Sequence, residues 1–512
     1  MPLPKPQYRH RRAGANSGGM IGVERGTVTE PGDRMHRLRT ALAATVLSAF
    51  CLVPAGAASA AAAKAPLLRL FAATPNVRIE KFGRGGVQVA VGAYLGASGG
   101  DFRLDVHRAG YRSPITVTQV IGSRRRALPA AVAHGWEGIS GLVTWTVSSA
   151  SRGVIATRTR TVCPNDWNRQ RVDGSGPLTS RYPQFCGTNP FTLGSVWGID
   201  RGWAVGLDSA APTVRLPLGT YTVKVALAPR YAELFGVAPA NASTTVTVHV
   251  VKPPPCPPSC GGARAHSAAH PAPVRLPRVA TVSSPDPATM PDLIPLPAWG
   301  IGVDRQAGRD YLDFGATVWD AGPAPMDVEG FRRPGTNIMD AYQYFFRNGK
   351  PVGRARADTL LYDSRPGHEH WHFQQFARYS LLGASKHQVV RSEKEGFCLA
   401  PTDPLDLTVK GAVWDPYSIG LEGQCGDATS IWTRETLPSG WGDTYFQFLP
   451  GQSFDITGLR NGTYYVEVRA NPLGDIHETL TRNDVRLRKV VLGGTPGART
   501  VRVPAWNGID PE

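Results

Sequence analysis

The stretch VKPPPCPPSCGGARAHSAAHPAPVRLPRVATVSSPDPATM, residues 251–290, holds ten prolines and a single acidic side chain in forty positions. Proline fixes φ and has no amide hydrogen to give to a sheet or helix. The stretch also has too little apolar surface for a core of its own, so it reads as a stiff linker. It divides the 512-residue chain into residues 65–250 and 291–505, each of ordinary domain size.

Both halves consist of short alternating apolar runs ended by Gly, Pro, Asn or Asp, with no sustained helical period. That pattern predicts an all-β fold of two tandem β-sandwich domains. The halves also resemble each other. LPLGTYTVKVALAP (216–229) aligns without a gap on LRNGTYYVEVRANP (459–472), and 89–108 aligns on FGATVWDAGPAPMDVEGFRR. Cys163 and Cys186-Gly187 fall in register with Cys398 and Cys425-Gly426, and Trp197-Gly198 with Trp441-Gly442. The N-terminal half is therefore expected to be a degenerate copy of the C-terminal one.

Residues 1–60 read as a targeting region. MHRLRTALAATVLSAFCLVPAGAASA (35–60) has a basic start, an apolar stretch from Ala41 to Val53 and a small-residue exit, the layout of a cleaved signal peptide. The apolar stretch is too short to span a bilayer, so no transmembrane segment is expected after cleavage. The expected location is secreted, extracellular or in the cell envelope. Removing the segment lowers the net charge from +16 to about +11. That surface suits contact with wall or envelope polymers, whereas no lysine block interleaved with aromatics points to nucleic acid. Six cysteines remain, and nearness in sequence pairs Cys163 with Cys186, Cys256 with Cys260 and Cys398 with Cys425, as suits an exported chain.

Function is written most densely in GHEHWHF, residues 367–373. Alternate residues of a strand share a face, so His368, His370 and His372 point the same way while Glu369 and Trp371 point the other. A row of unliganded imidazoles offers a fold nothing, which makes these three the candidate metal ligands. Imidazole suits zinc and copper alike, and three protein ligands leave coordination positions open, as catalysis requires. In register, the N-terminal half has Ala133, Gly135 and Glu137.

Three segments together resemble the lysyl oxidase family over roughly 291–495. HEHWHFQQFARYSLL (368–382) is similar to the family's copper-binding segment. EKEGFCLAP (393–401) is similar to the segment with the cofactor lysine, and WGDTYFQFLPGQSFDITGLRNGTYYVEVRANP (441–472) to that with the cofactor tyrosine. The resemblance implies a copper amine oxidase whose lysine tyrosylquinone forms from Lys394 and Tyr445. Only a phenol becomes an ortho-quinone and only an unprotonated amine adds to it, so Lys394 should sit where its pKa is lowered. Asp443, two residues before Tyr445, is the candidate base. The chain departs from the animal pattern in having Trp441 where a cysteine precedes the tyrosine, a longer stretch between Cys425 and Tyr445, and Asn483-Asp484 in place of paired Asn.

What the resemblance implies is a bacterial-type secreted oxidoreductase. It would take primary amines, as peptidyl lysine or small amines, to aldehydes with O2, releasing H2O2 and ammonia. The competing expectation is a non-enzymatic tandem sandwich that binds metal or the cell envelope.

Overall fold

The computed structural model describes residues 65–253, 275–365, 368–392, 394, 396–417, 425–449 and 451–511. The expected signal segment, residues 1–60, and the expected pairing of Cys256 with Cys260 lie outside the described residues. Among those described, the fold is all-β, and its one α-helix is Pro229–Leu234. Alternation does the building: Gly219–Leu227 buries every second residue from Tyr221 onward, so Val223 and Val225 reach the core while Thr222 and Lys224 face outward.

Residues 68–250 supply one large apolar core, with Trp145 and Trp197 fully enclosed. A second core draws on residues 293–492 together with Tyr182 and Val196 of the N-terminal half, and contains Trp371 and Trp441. Around each core the same strand order recurs. Leu67–Ala72, Ala93–Ser98, Trp203–Gly206 and Arg169–Arg171 form one sheet; Leu293–Pro295, Arg309–Asp320, Trp441–Tyr445 and Asp403–Pro404 follow the same order in the other half. Likewise Ser243–Val251, Gly219–Leu227, Ile139–Ser149 and Gly153–Val162 match Val485–Thr495, Gly462–Ala470, Ala377–Leu382 and Gln388–Arg391.

Details inside the strands agree as well. The Tyr221 hydroxyl donates to the carbonyl of Pro217 at 2.9 Å, and that of Tyr464 to Arg460 at 2.8 Å, four residues back in each case. The guanidinium of Arg108 lies 5.6 Å from the Trp136 ring and that of Arg332 lies 5.1 Å from Trp371, which keeps the histidine register read from the sequence. One landmark moves. By strand order the counterpart of Trp441–Tyr445 is Trp203–Gly206, whereas Trp197 sits on Gly194–Ile199, the counterpart of Trp432–Leu437. Trp-Gly pairs occur on both strands, so the dipeptide alone did not distinguish them.

Disulfides join Cys163 to Cys186 and Cys398 to Cys425, as sequence proximity suggested. Residues 275–290, within the stretch read as a linker, lie against the C-terminal half. The Leu276 amide donates to Glu329 at 2.7 Å, Thr281 bridges to Arg354, and Met290 packs on Phe345 and Ala355. Apolar side chains at 276, 279, 282 and 290 give this part the contacts that the preceding prolines lack. The halves themselves meet along a backbone seam: Leu193 donates to the Leu405 carbonyl at 2.7 Å and Leu407 to Gly194 at 3.0 Å.

The matched tyrosine hydroxyls make a direct test of the repeated architecture. Tyr221→Phe and Tyr464→Phe should each cost about 1 kcal/mol, the net worth of a buried hydrogen bond, in denaturant unfolding. A loss confined to one half would contradict equivalent roles.

Candidate metal and cofactor site

The long strand Lys350–Asp363 turns back through Arg365 and pairs with His370–Gln374, setting Asp363 opposite His370 and Leu361 opposite His372. His368 stands in the turn just ahead of this strand rather than on it, its amide bonded to the Arg365 carbonyl at 2.9 Å. The turn begins where Asp363 accepts the Arg365 amide at 2.9 Å. Even so, the three imidazole rings lie near one another, although His370 falls outside the group whose donor atoms come within reach of one ion. Ring centroids are 4.5 Å apart for His370 and His372, 5.7 Å for His368 and His372, and 6.3 Å for His368 and His370.

Asp363 joins them. One of its carboxylate oxygens lies 3.7 Å from Nδ1 of His368 and 3.9 Å from Nδ1 of His372. Ligand atoms of Asp363, His368 and His372 all fall within 4.8 Å of one another, the spacing a metal ion needs. The carboxylate is held well below the usual range, chiefly by its hydrogen bonds to Arg365. Burial favours the neutral form of the imidazoles: His372 is lowered to about 3 by desolvation and by His370, and His370 is lowered by desolvation and by His368. Neutral imidazoles beside an ionised carboxylate are the donor set that zinc and copper accept, so the residues present fit a copper ion. Sequence reasoning missed Asp363, whose only signal was its place across the hairpin from the histidines.

Lys394 and Tyr445 meet in the same region. The ammonium nitrogen of Lys394 lies 4.1 Å from the centroid of the Tyr445 ring and 5.1 Å from that of Phe397. Only 9 % of Lys394 is exposed, and burial lowers its amine to about 8 against the opposing pull of Asp443. An ordinary lysine amine is almost wholly protonated at neutral pH, whereas this one is shifted toward its unprotonated form. Gly451, at φ +83°, closes over it; a Cβ there would stand 3.1 Å from the Cβ of Lys394.

Tyr445 ends the strand Trp441–Tyr445, and its ring meets Phe397 edge-on at 5.2 Å. Its hydroxyl accepts the Cys398 amide at 3.0 Å and donates to the Cys398 carbonyl at 3.1 Å. Part of the residue stays accessible, yet desolvation and the nearby Asp443 push the phenol well above its ordinary value. Asp443 is buried, with Oδ2 unbonded among the described residues. Desolvation raises it far above a normal carboxyl, and Lys394 opposes. Glu435, also buried and raised by desolvation, accepts the Leu399 amide at 3.0 Å. It sits in Trp432–Leu437, a strand buried on both faces, so alternation gave no hint of it.

A cleft of about 460 Å3 opens onto this arrangement, lined among others by Asp363, His368, His372, Lys394 and Gly451. His368, His372 and the lysine thus share one solvent-reachable space, with Tyr445 against the lysine.

The arrangement of imidazoles, lysine and tyrosine lies within one family's territory: residues 352–497 match the model of the lysyl oxidase family. The match lies within the C-terminal half, and all six expected site residues fall inside it. Among curated proteins, lysyl oxidase homolog 4 of Mus musculus is 29% identical over 161 residues, which is 31% of this chain and 19% of that protein. The chain thus matches about a fifth of that relative's length, and the matched family segment does not reach the N-terminal half.

The depressed imidazole has a measurable consequence. Between its folded value of about 3 and the ordinary 6.5, His372 is neutral when folded and protonated when unfolded. The unfolded state then binds more protons, so stability should fall as pH drops from 6.5 toward 3. In metal-free protein His372→Gln should flatten that slope in urea unfolding; an unchanged slope would show that His372 does not carry it.

Proposed function

We propose that the chain is an exported copper- and quinone-dependent amine oxidase acting on primary amines, as peptidyl lysine or as small amines. Residues 291–505 would be the catalytic domain and residues 65–250 a non-catalytic companion. The single observation that carries the reading is the Lys394 amine 4.1 Å from the Tyr445 ring centroid, in a region shared with three imidazoles. In a chain with 56 Lys and Arg, a buried lysine amine placed on a tyrosine beside a histidine cluster is a costly arrangement that a purely structural role does not require.

His368, His370 and His372 would hold copper, with Asp363 beside them. Bound there, copper with O2 would supply the oxidation of the Tyr445 phenol, and a lysine tyrosylquinone built from Lys394 and Tyr445 would supply the carbonyl and electron sink for taking a primary amine to an aldehyde, with H2O2 and ammonia released. The chain's own residues prepare that chemistry. Burial keeps the Lys394 lone pair available, and Cys398 fixes the Tyr445 hydroxyl and so the ring whose face the lysine nitrogen overlies. Asp443 is the proton acceptor. Burial favours its protonated form and Lys394 the charged one; once ionised, its Oδ2 would be a stronger base than an ordinary carboxylate.

Export fits the disulfides Cys163–Cys186 and Cys398–Cys425, and no helix among the described residues is long and apolar enough to cross a membrane. The basic surface suits envelope contact.

Copper-loaded protein held in air should develop a visible band that shifts with phenylhydrazine, and should release H2O2 when given a primary amine. Lys394→Ala and Tyr445→Phe should abolish both while keeping the metal. Protein that binds copper but shows neither signal would support the metal-binding alternative instead.

A further inference from the structure

Asn189, at the end of the loop that follows the Cys163–Cys186 disulfide, is fully buried although it belongs to the N-terminal half. Its Oδ1 accepts the Phe191 amide at 3.0 Å, which fixes the opposite end of the side chain as the donor. That Nδ2 donates to Thr317 at 3.1 Å, and the Asn189 side chain also bonds the Asp403 carboxylate. Thr317 and Thr444 stand 2.9 Å apart, hydroxyl to hydroxyl, and Thr444 donates to Asp403.

The donors and acceptors close into a ring with one consistent direction. Thr444 gives its hydrogen to Asp403, so Thr317 must donate to Thr444 and must itself accept from Asn189. Asn189 closes the ring by donating to Asp403 as well. All four members are buried, where an unmet polar group costs ~1–3 kcal/mol. Thr444 lies between Asp443 and Tyr445, and the backbone around it is held from the same side. Asp403 pairs with Gly442, and the Thr192 hydroxyl donates to the Pro404 carbonyl at 3.3 Å. Phe185 packs edge-on against Trp441 at 5.7 Å.

We propose that Asn189 is a positioning residue: through Thr317, Thr444 and Asp403 the N-terminal half fixes the strand that presents Tyr445 and Asp443. The role given to Tyr445 rests on the oxidase reading above. The half that has lost its histidines thereby becomes a working part of the site. Its removal would not merely shorten the chain; it would leave two buried polar side chains, Thr317 and Asp403, without the donor that Asn189 supplies.

The test compares Asn189→Ala and Thr317→Val, which keeps the side chain's shape, with Val246→Ala, a cavity in the N-terminal core away from the seam. Full-length proteins are matched by melting temperature and examined by amide hydrogen exchange without metal, then for quinone absorbance after copper loading. In Asn189→Ala and Thr317→Val the amides of 441–445 should exchange about ten-fold faster than in Val246→Ala, and quinone yield should fall at unchanged copper content. Equal exchange in all three proteins would overturn the proposal. A wild-type chain that never forms the quinone would instead sink the oxidase reading, and the exchange comparison would still decide the part played by Asn189.

Discussion

The structure around the site depends on the grip of Cys398 on the Tyr445 hydroxyl. Both backbone groups of Cys398 are used, one donating and one accepting, so the phenol is fixed in position and in the plane of its ring. Cys398 is itself tied to Cys425, whose carbonyl takes the amide of Trp371, between His370 and His372. The indole of Trp371 then donates to Asp427 at 2.8 Å. Three segments far apart in sequence, bearing the histidines, the lysine and the tyrosine, therefore share one covalent and hydrogen-bonded node. Closing a 27-residue separation removes about 3 kcal/mol of loop entropy from the unfolded chain. More to the point, it places the aromatic ring and the metal donors against one frame.

Burial then sets the chemistry. Lys394, His370 and His372 lose solvation and shift toward their neutral forms, as do Asp443 and Glu435, while Asp363 stays charged because Arg365 hydrogen-bonds it. A nucleophilic amine and neutral metal donors are what an amine oxidase would need at neutral pH, with Asp443 a base only in the charged form that Lys394 favours. A zinc or copper store would need only the second of these.

Much of this was legible in the sequence because it rests on local rules. Alternation and turn residues gave the all-β fold, the Gly-Thr-Tyr repeat pointed to strands that do carry the same tyrosine hydrogen bond, and cysteine spacing gave two observed pairs. Less visible was whatever depends on packing. His368 leaves the strand because the Asp363–Arg365 turn captures the backbone first. Asp363, Glu435 and Asn189 reach the site region across a hairpin, from a strand buried on both faces and from the other half, so no window around GHEHWHF contains them. The two strands with Trp-Gly pairs were told apart only by their neighbours in the sheets.

The central claim is that Lys394 and Tyr445 are chemical partners. Proteolysis and mass spectrometry of protein incubated with Cu2+ in air read this without reference to any substrate. The account predicts one joined species containing the peptides of Lys394 and Tyr445, absent when copper is withheld. Recovery of both peptides separate and unmodified from copper-loaded protein would contradict it.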